Sequence, residues 1–403
     1  QPVRLRVIDA DDGSVPAADV SINCYNYVHH FDLGIPGGDK FVDQVINVTV
    51  TARDVNGVAV LNFRDDVTFY AQVGHFPTGP TALLSGGNFA LGVANFPVTF
   101  WGTDPITREN VLTGTNSVVY PGQAAAATGT ATVTPLRPGP LAGVMLLLPG
   151  EELTPGVSPG KLGDPSTQTS GQSFGGISVY ATDQHWNPVE GSNLPNLSWT
   201  SDDPSGGVVL PGGGPMGGNP ESALNATLIR SGTTRVTVNA NGPVTASSRS
   251  DVIINPQGLD HFEFDTGVWN PSDPQVTTIP FNIRIIARDA ANNVFPLNGA
   301  VSLRVRIGAA DESADYIITN NSTFVDGRLD ALVQVTKRGF SAYLVVDAGV
   351  VGTSPAFQVN AGPCEKILMS FPGETWVNGL NDENFSGNQG TPNAVTAGDI
   401  IAD

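Results

Sequence analysis

The chain has 403 residues, with 38 acidic against 19 basic side chains for a formal charge of −19, and it is 40% hydrophobic but only 14% charged. At roughly 150 residues per domain, such a length excludes a single small module and predicts about two to four domains. A charge balance this negative repels phosphate backbones and excludes nucleic-acid binding, and the longest apolar runs, Gly143 to Leu148 and Ala342 to Val351, are strand-sized, so no membrane span is expected.

The chain opens at Gln1 without Met, directly on Val3, Leu5 and Val7 alternating with Arg4 and Arg6. This is the period-two pattern of a half-buried strand, and the opening predicts a mature extracellular or cell-surface protein left by removal of a signal peptide. In Asp9-Ala-Asp-Asp-Gly13, Asp9 and Asp11 offer oxygens to Ca2+, but the distal bidentate Glu of a calcium loop is missing and an acidic turn explains the run. Cys24 and Cys364 leave three readings open: two thiols, one long-range bridge, or a bridge between subunits. His29 and His30 stand beside Asp32 and Tyr27 and carry metal-ligating nitrogens, although neighbours on a strand face opposite sides and would share an ion only from a loop. No metal or cofactor is assigned. Structural Ca2+ between domains is compatible with so acidic a chain, without named ligands.

The strand pattern returns at Ile46, Val48, Val50 and Ala52, at Phe281, Ile283, Ile285 and Ala287, and at Val301, Leu303, Val305 and Ile307. No stretch keeps apolar residues at helical spacing for three turns. Strands broken by Gly, Pro, Asn and Asp clusters predict an all-β chain of tandem antiparallel β-sandwiches in an extended array, because two facing sheets bury many half-apolar strands.

Internal repetition sets the expected boundaries. One anchor is a strand ending in Asp with Asn four positions on, Ile177 to Asp183 and Asn187, then Ile283 to Asp289 and Asn293. An Asp closing a local turn, followed by an Asn tolerant of left-handed backbone, accounts for it. A second anchor is Arg230-Ser-Gly232 and Lys337-Arg-Gly339, each before a late strand. A third is Leu148-Pro-Gly-Glu151 with Gly163-Asp-Pro165 and Thr169-Ser-Gly171, answered by Phe371-Pro-Gly-Glu374 with Gly390-Thr-Pro392 and Thr396-Ala-Gly398. These place units at residues 1–138, 139–257 and 258–361, with an incomplete unit at 362–403.

The strand-Asp-x-x-x-Asn pattern followed by a late Gly resembles bacterial immunoglobulin-like repeats of the invasin and filamin-like kind, over residues 139 to 361 and the partial unit beyond. Leu5-Arg-Val-Ile-Asp9, Val15-Pro-Ala-Ala-Asp-Val20 and Asp54-Val-Asn-Gly-Val-Ala-Val60 resemble instead a transthyretin-like fold of the Cna-B and carboxypeptidase-regulatory kind, enlarged by the insertion from Tyr25 to Gln44. Arg4 and Arg6 stand where a Lys would be sought, so no isopeptide bond is expected. Both resemblances imply an exported multi-domain protein and assign no ligand.

Catalytic constellations are missing from the sequence. There is no Gly-x-Ser-x-Gly elbow, and Pro211-Gly-Gly-Gly-Pro-Met-Gly-Gly218 lacks the Lys-Ser/Thr ending of a phosphate loop. No enzyme is expected. Trp199 reads as core, and Trp186, in a turn between His185 and Asn187, is the candidate surface contact. The sequence therefore points to a structural subunit of an extracellular filament or surface fibre, a homopolymer joined head to tail through Val3, Leu5 and Val7 at one end and Ile400 and Ile401 at the other. A Cys24–Cys364 bridge between subunits would be a corollary. The alternative is an adhesin or a stalk region binding cell-surface or matrix polysaccharide, with Trp186 and the Tyr25 to Gln44 insertion as its contact surface.

Overall fold

The computed structural model describes residues 2–8, 10–12, 14, 16, 18–23, 27–120, 123–191, 193–308, 316–319, 322–364, 369–376 and 388–394. Among them the chain is built of strands and turns, with a single 3-10 turn at Gly86–Asn88, and no helix is long and apolar enough to cross a membrane. Ile400 and Ile401, Cys24 and Asp9 lie outside the described residues.

Strands β1 (Pro2–Val7) and β2 (Ala18–Asn23) form a separate antiparallel hairpin. The first core follows. It is wrapped by β3 (His30–Gly34), β5 (Val45–Arg53), β6 (Val67–Ala71), β7 (Thr81–Leu84), β8 (Val93–Thr99), β9 (Asn110–Asn116) and β10 (Thr128–Val133), in the order β7-β6-β9-β10-β3-β5-β8, while β4 (Lys40–Phe41) pairs with β11 (Leu136–Arg137). Alternation explains the burial. In β5, Ile46, Val48, Val50 and Ala52 are buried while the residues between them face outward.

The second core lies between two sheets. One holds β12 (Gly143–Leu147), β16 (Ser173–Thr182) and β19 (Glu221–Thr227); the other holds β15 (Gln168–Thr169), β21 (Ala246–Asn255), β20 (Gly232–Asn241), β17 (Asn196–Ser201) and β18 (Gly214–Pro215). A small hairpin of β13 (Glu152–Leu153) and β14 (Lys161–Leu162) closes one end. In the third unit β22 (His261–Phe264), β24 (Phe281–Arg288), β29 (Arg328–Val335) and β27 (Tyr316–Thr319) face β23 (Gln275–Val276), β32 (Phe357–Asn360), β30 (Gly339–Asp347) and β26 (Ser302–Ile307), with β31 (Val351–Thr353) added to β30 and β25 (Gly299–Ala300) paired with β28 (Thr323–Phe324). A last hairpin joins β33 (Glu374–Trp376) to β34 (Asn388–Gly390).

These are the tandem sandwiches the sequence predicts, with short parallel pairs added where β15 meets β21 and β23 meets β32. Three separate buried clusters, running from Val28 to Leu136, from Val144 to Ile254 and from Phe262 to Val359, supply three cores.

The three cores begin alike. His30, Gly143 and His261 each face the residue before a buried Asp, namely Arg53, Thr182 and Arg288. Phe31, Val144 and Phe262 then point inward. Arg53 pairs with Asp32 and Arg288 with Glu263, both at 2.7 Å. By this register the first core starts at β3, and β1 and β2 stand before it.

Candidate functional site at the unit boundaries

The Asp turns recur three times. Asp54, Asp183 and Asp289 each accept, through Oδ1, the backbone N–H groups two and four positions on. The third residue after each Asp is left-handed: Gly57 at φ 78, Trp186 at φ 62 and Asn292 at φ 63. The left-handed position is thus the one before the Asn. That corrects the expectation that Asn187 and Asn293 serve by tolerating such backbone, and leaves a bulky Trp carrying the strain in the second copy. The Trp186 indole is half-buried and lies over Gly160, where a Cβ would stand 2.2 Å from the ring.

Asn187 and Asn293 reach backward into the preceding unit. Asn187, fully buried, donates from Nδ2 to the Trp101 carbonyl at 2.8 Å and accepts at Oδ1 from the Thr103 N–H at 2.9 Å. Asn293 donates to the Ile229 carbonyl at 2.9 Å and accepts from the Ser231 N–H at 2.8 Å. In each case one amide side chain spans the carbonyl of one residue and the N–H two positions later, as a neighbouring strand would. Each Asn also donates to its own Asp, whose Oδ2 takes a linker N–H, Gly139 at 2.8 Å for Asp183 and Gln257 at 2.9 Å for Asp289. Burial pushes the Asp289 carboxyl up, but the donors from the Asn293 side chain and from Gln257, Asn293 and Ala291 outweigh it and hold the group below its ordinary value.

Further contacts close the first boundary. Gly74, Gly102 and Gly156 meet backbone to backbone, and a Cβ on Gly156 would stand 2.5 Å from the Gly102 Cα and 2.8 Å from that of Gly74. The His185 ring stacks on Trp101 with centroids 4.8 Å apart, and its Nε2 lies 2.8 Å from the Asp43 carboxylate. Glu190 bridges Arg108 at 2.8 Å and Arg137 at 2.9 Å. The second boundary adds Gln257, whose side chain donates to the Ser170 carbonyl at 2.6 Å. Interlocked hydrogen bonds of this kind, partly or wholly withdrawn from water, favour one arrangement, because breaking them leaves buried polar groups to be satisfied elsewhere.

The other candidates are scattered. His29 and His30 sit with Nδ1 atoms 3.5 Å apart, and His30 Nε2 lies 3.6 Å from Asp32. His30 occupies the same register position as His261, a place in the sandwich framework. Asp11 is exposed, and no group of three or more His, Cys, Asp or Glu able to hold a metal occurs among the described residues. Cys364 is exposed. Val3, Leu5 and Val7 lie on β1, opposite Ile22, Val20 and Ala18.

No protein-family model matches the chain, and no curated protein sequence matches it. Solved structures align along most of its length. Invasin, a bacterial integrin-binding protein, aligns at 13% identity and a TM-score of 0.31 over 82% of this chain and 60% of that one. The Escherichia coli adhesin FdeC aligns at 14% identity and a TM-score of 0.30 over 85% of this chain and 99% of that one. Domains 1–6 of the surface layer protein SbsC align at 14% identity and a TM-score of 0.26, with 87% of this chain covered. The chain spans 60% of the invasin structure and 42% of the SbsC structure.

Proposed function

We propose that the chain is a structural element of an extracellular or cell-surface fibre, a homopolymer whose copies join head to tail through their terminal segments. The observation carrying this reading is the recurrence of one side-chain clamp, fully buried at Asn187 on Trp101 and Thr103 and half-buried at Asn293 on Ile229 and Ser231. Repeated stiff boundaries suit a part that transmits load along an array. The test is sedimentation velocity over a range of concentrations, with negative-stain electron microscopy of the same samples. Concentration-dependent growth into regular filaments is expected, and monomers at every concentration would overturn the reading.

A second reading, an adhesin or polysaccharide-binding stalk, is favoured by one feature. Tyr27, 44% exposed, stacks on Tyr120 with centroids 4.9 Å apart, beside a cleft lined by Asn62, Arg64 and Asp65. Aromatic faces next to polar side chains suit sugar rings. Glycan-array binding that is lost in Tyr27→Ala would favour this reading over the first.

A further inference from the structure

We propose that His29 and His30 together hold one Zn2+ ion through their two Nδ1 atoms, at the entry to β3. Neighbours on a strand face opposite sides, so the two rings can share an ion only if one of them stands outside the strand. The fold meets that condition. β3 begins at His30 and His29 lies in the approach to it. Both Nδ1 atoms come to one spot, 3.5 Å apart, with the ring planes 85° to each other.

That separation suits a cation better than a proton. Hydrogen bonds from N–H groups draw their heavy atoms to about 3 Å. Two imidazole nitrogens about 2.0–2.1 Å from one Zn2+ in a tetrahedron stand about 3.3–3.4 Å from each other. Nitrogens at right angles on a square-planar Cu2+ would stand only about 2.9 Å apart, and Ca2+ and Mg2+ take oxygen ligands. The ion lies to one side of the line joining the two nitrogens, which asks each ring for a small rotation.

The pair is oriented from behind by a single residue. His29 N–H donates to the Arg53 carbonyl at 2.6 Å, and His30 stands opposite Arg53 in the β3–β5 ladder. The Arg53 guanidinium also holds the Asp32 carboxylate, donating from Nε to Oδ2 at 2.7 Å. Asp32 Oδ1 lies 3.6 Å from His30 Nε2. With Nε2 turned to a carboxylate, His30 presents the Nδ1 lone pair to the cation, as in metal centres where a carboxylate sets the tautomer of the ligating histidine. His29 is exposed and the His30 side chain is 39% exposed, so the other positions on the ion are open to water. Two protein ligands make an exchangeable site, one that stabilises the start of the first core in proportion to the Zn2+ present.

The test is isothermal titration of Zn2+ into the 403-residue chain with Cys24→Ser and Cys364→Ser, so that thiolates do not compete. Saturable binding of one equivalent is expected. It should weaken at least tenfold in His29→Ala and, separately, in His30→Ala, and be unchanged in His261→Ala, which alters the matching register position of the third core. Nitrogen-correlated NMR of the histidine rings supplies a second readout, independent of any variant. The Nδ1 resonances of His29 and His30 should move together as Zn2+ is added, which a general attraction of cations to so acidic a chain would not produce. Binding that survives either His29→Ala or His30→Ala, ring shifts confined to Nε2, or no saturable binding up to millimolar Zn2+ overturns the proposal.

Discussion

Asn187 donates to the carbonyl of Trp101 at 2.8 Å across the boundary between the first two cores, making a residue of one unit the strand-like neighbour of a loop in another. Removing that amide leaves the Trp101 carbonyl and the Thr103 N–H without it and strips donors from Asp183. Buried groups abandoned in this way cost about 1–3 kcal/mol each. Asn187→Ala is therefore expected to destabilise the first two units by on the order of 3 kcal/mol in chemical denaturation. Asn293→Ala should act at the second boundary by less, because Asn293 is only half-buried.

Both sides of the second clamp, at Asn293, are legible in the sequence, while their relation is not. The Asp-to-Asn spacing predicts a turn, and Arg230-Ser-Gly232 predicts the approach to a late strand. Each reads as a feature of its own unit. Only the fold shows that Asn293 of one grips Ile229 and Ser231 of the other. Backbone carbonyls and N–H groups carry no side-chain signature, which is why Trp101 and Thr103 pass unnoticed.

The first core shows a different limit. Asp54 forms the same turn as Asp183 and Asp289, but Val58 stands where they have Asn, so the Asp-to-Asn spacing that marks the other two units is missing from the sequence there.

Acid should loosen the second boundary. The Asp289 carboxyl is held below its ordinary value of 3.8, so its contribution is present above that value and is lost as pH falls through the lower folded value. The stability gap between the parent chain and Asp289→Asn should therefore be constant near neutrality and close only below pH 3.8. Denaturant midpoints measured at stepped pH check this, and a gap that closes near pH 6 would point to another group.

Surface and buried ion pairs should behave oppositely. Glu190→Gln breaks half-exposed pairs with Arg108 and Arg137 and is expected to cost under ~1 kcal/mol, shrinking as salt is added. Lys161→Met leaves Glu151, whose side chain is 3% exposed, without its cation and should cost about 3–5 kcal/mol. Urea denaturation at low and high salt separates the two.

Gly156→Ala should disturb the first boundary beyond its loss of backbone freedom. Its Cβ would stand 2.5 Å from the Gly102 Cα at a φ of +73, and backbone on the far side offers no flexible end to move aside. The expected result is a shifted mean orientation of the first two units with both cores still folded, read by residual dipolar couplings.

The claim that the Asn clamps fix neighbouring units in one arrangement is tested most directly by pulsed electron–electron resonance distances across the first boundary. Spin labels at Ile106→Cys and Leu162→Cys, both exposed, would be used in a chain with Cys24→Ser and Cys364→Ser. A single narrow distance distribution is predicted, broadening when Asn187→Ala is introduced. A broad distribution in the parent chain, or a narrow one untouched by Asn187→Ala, would contradict it.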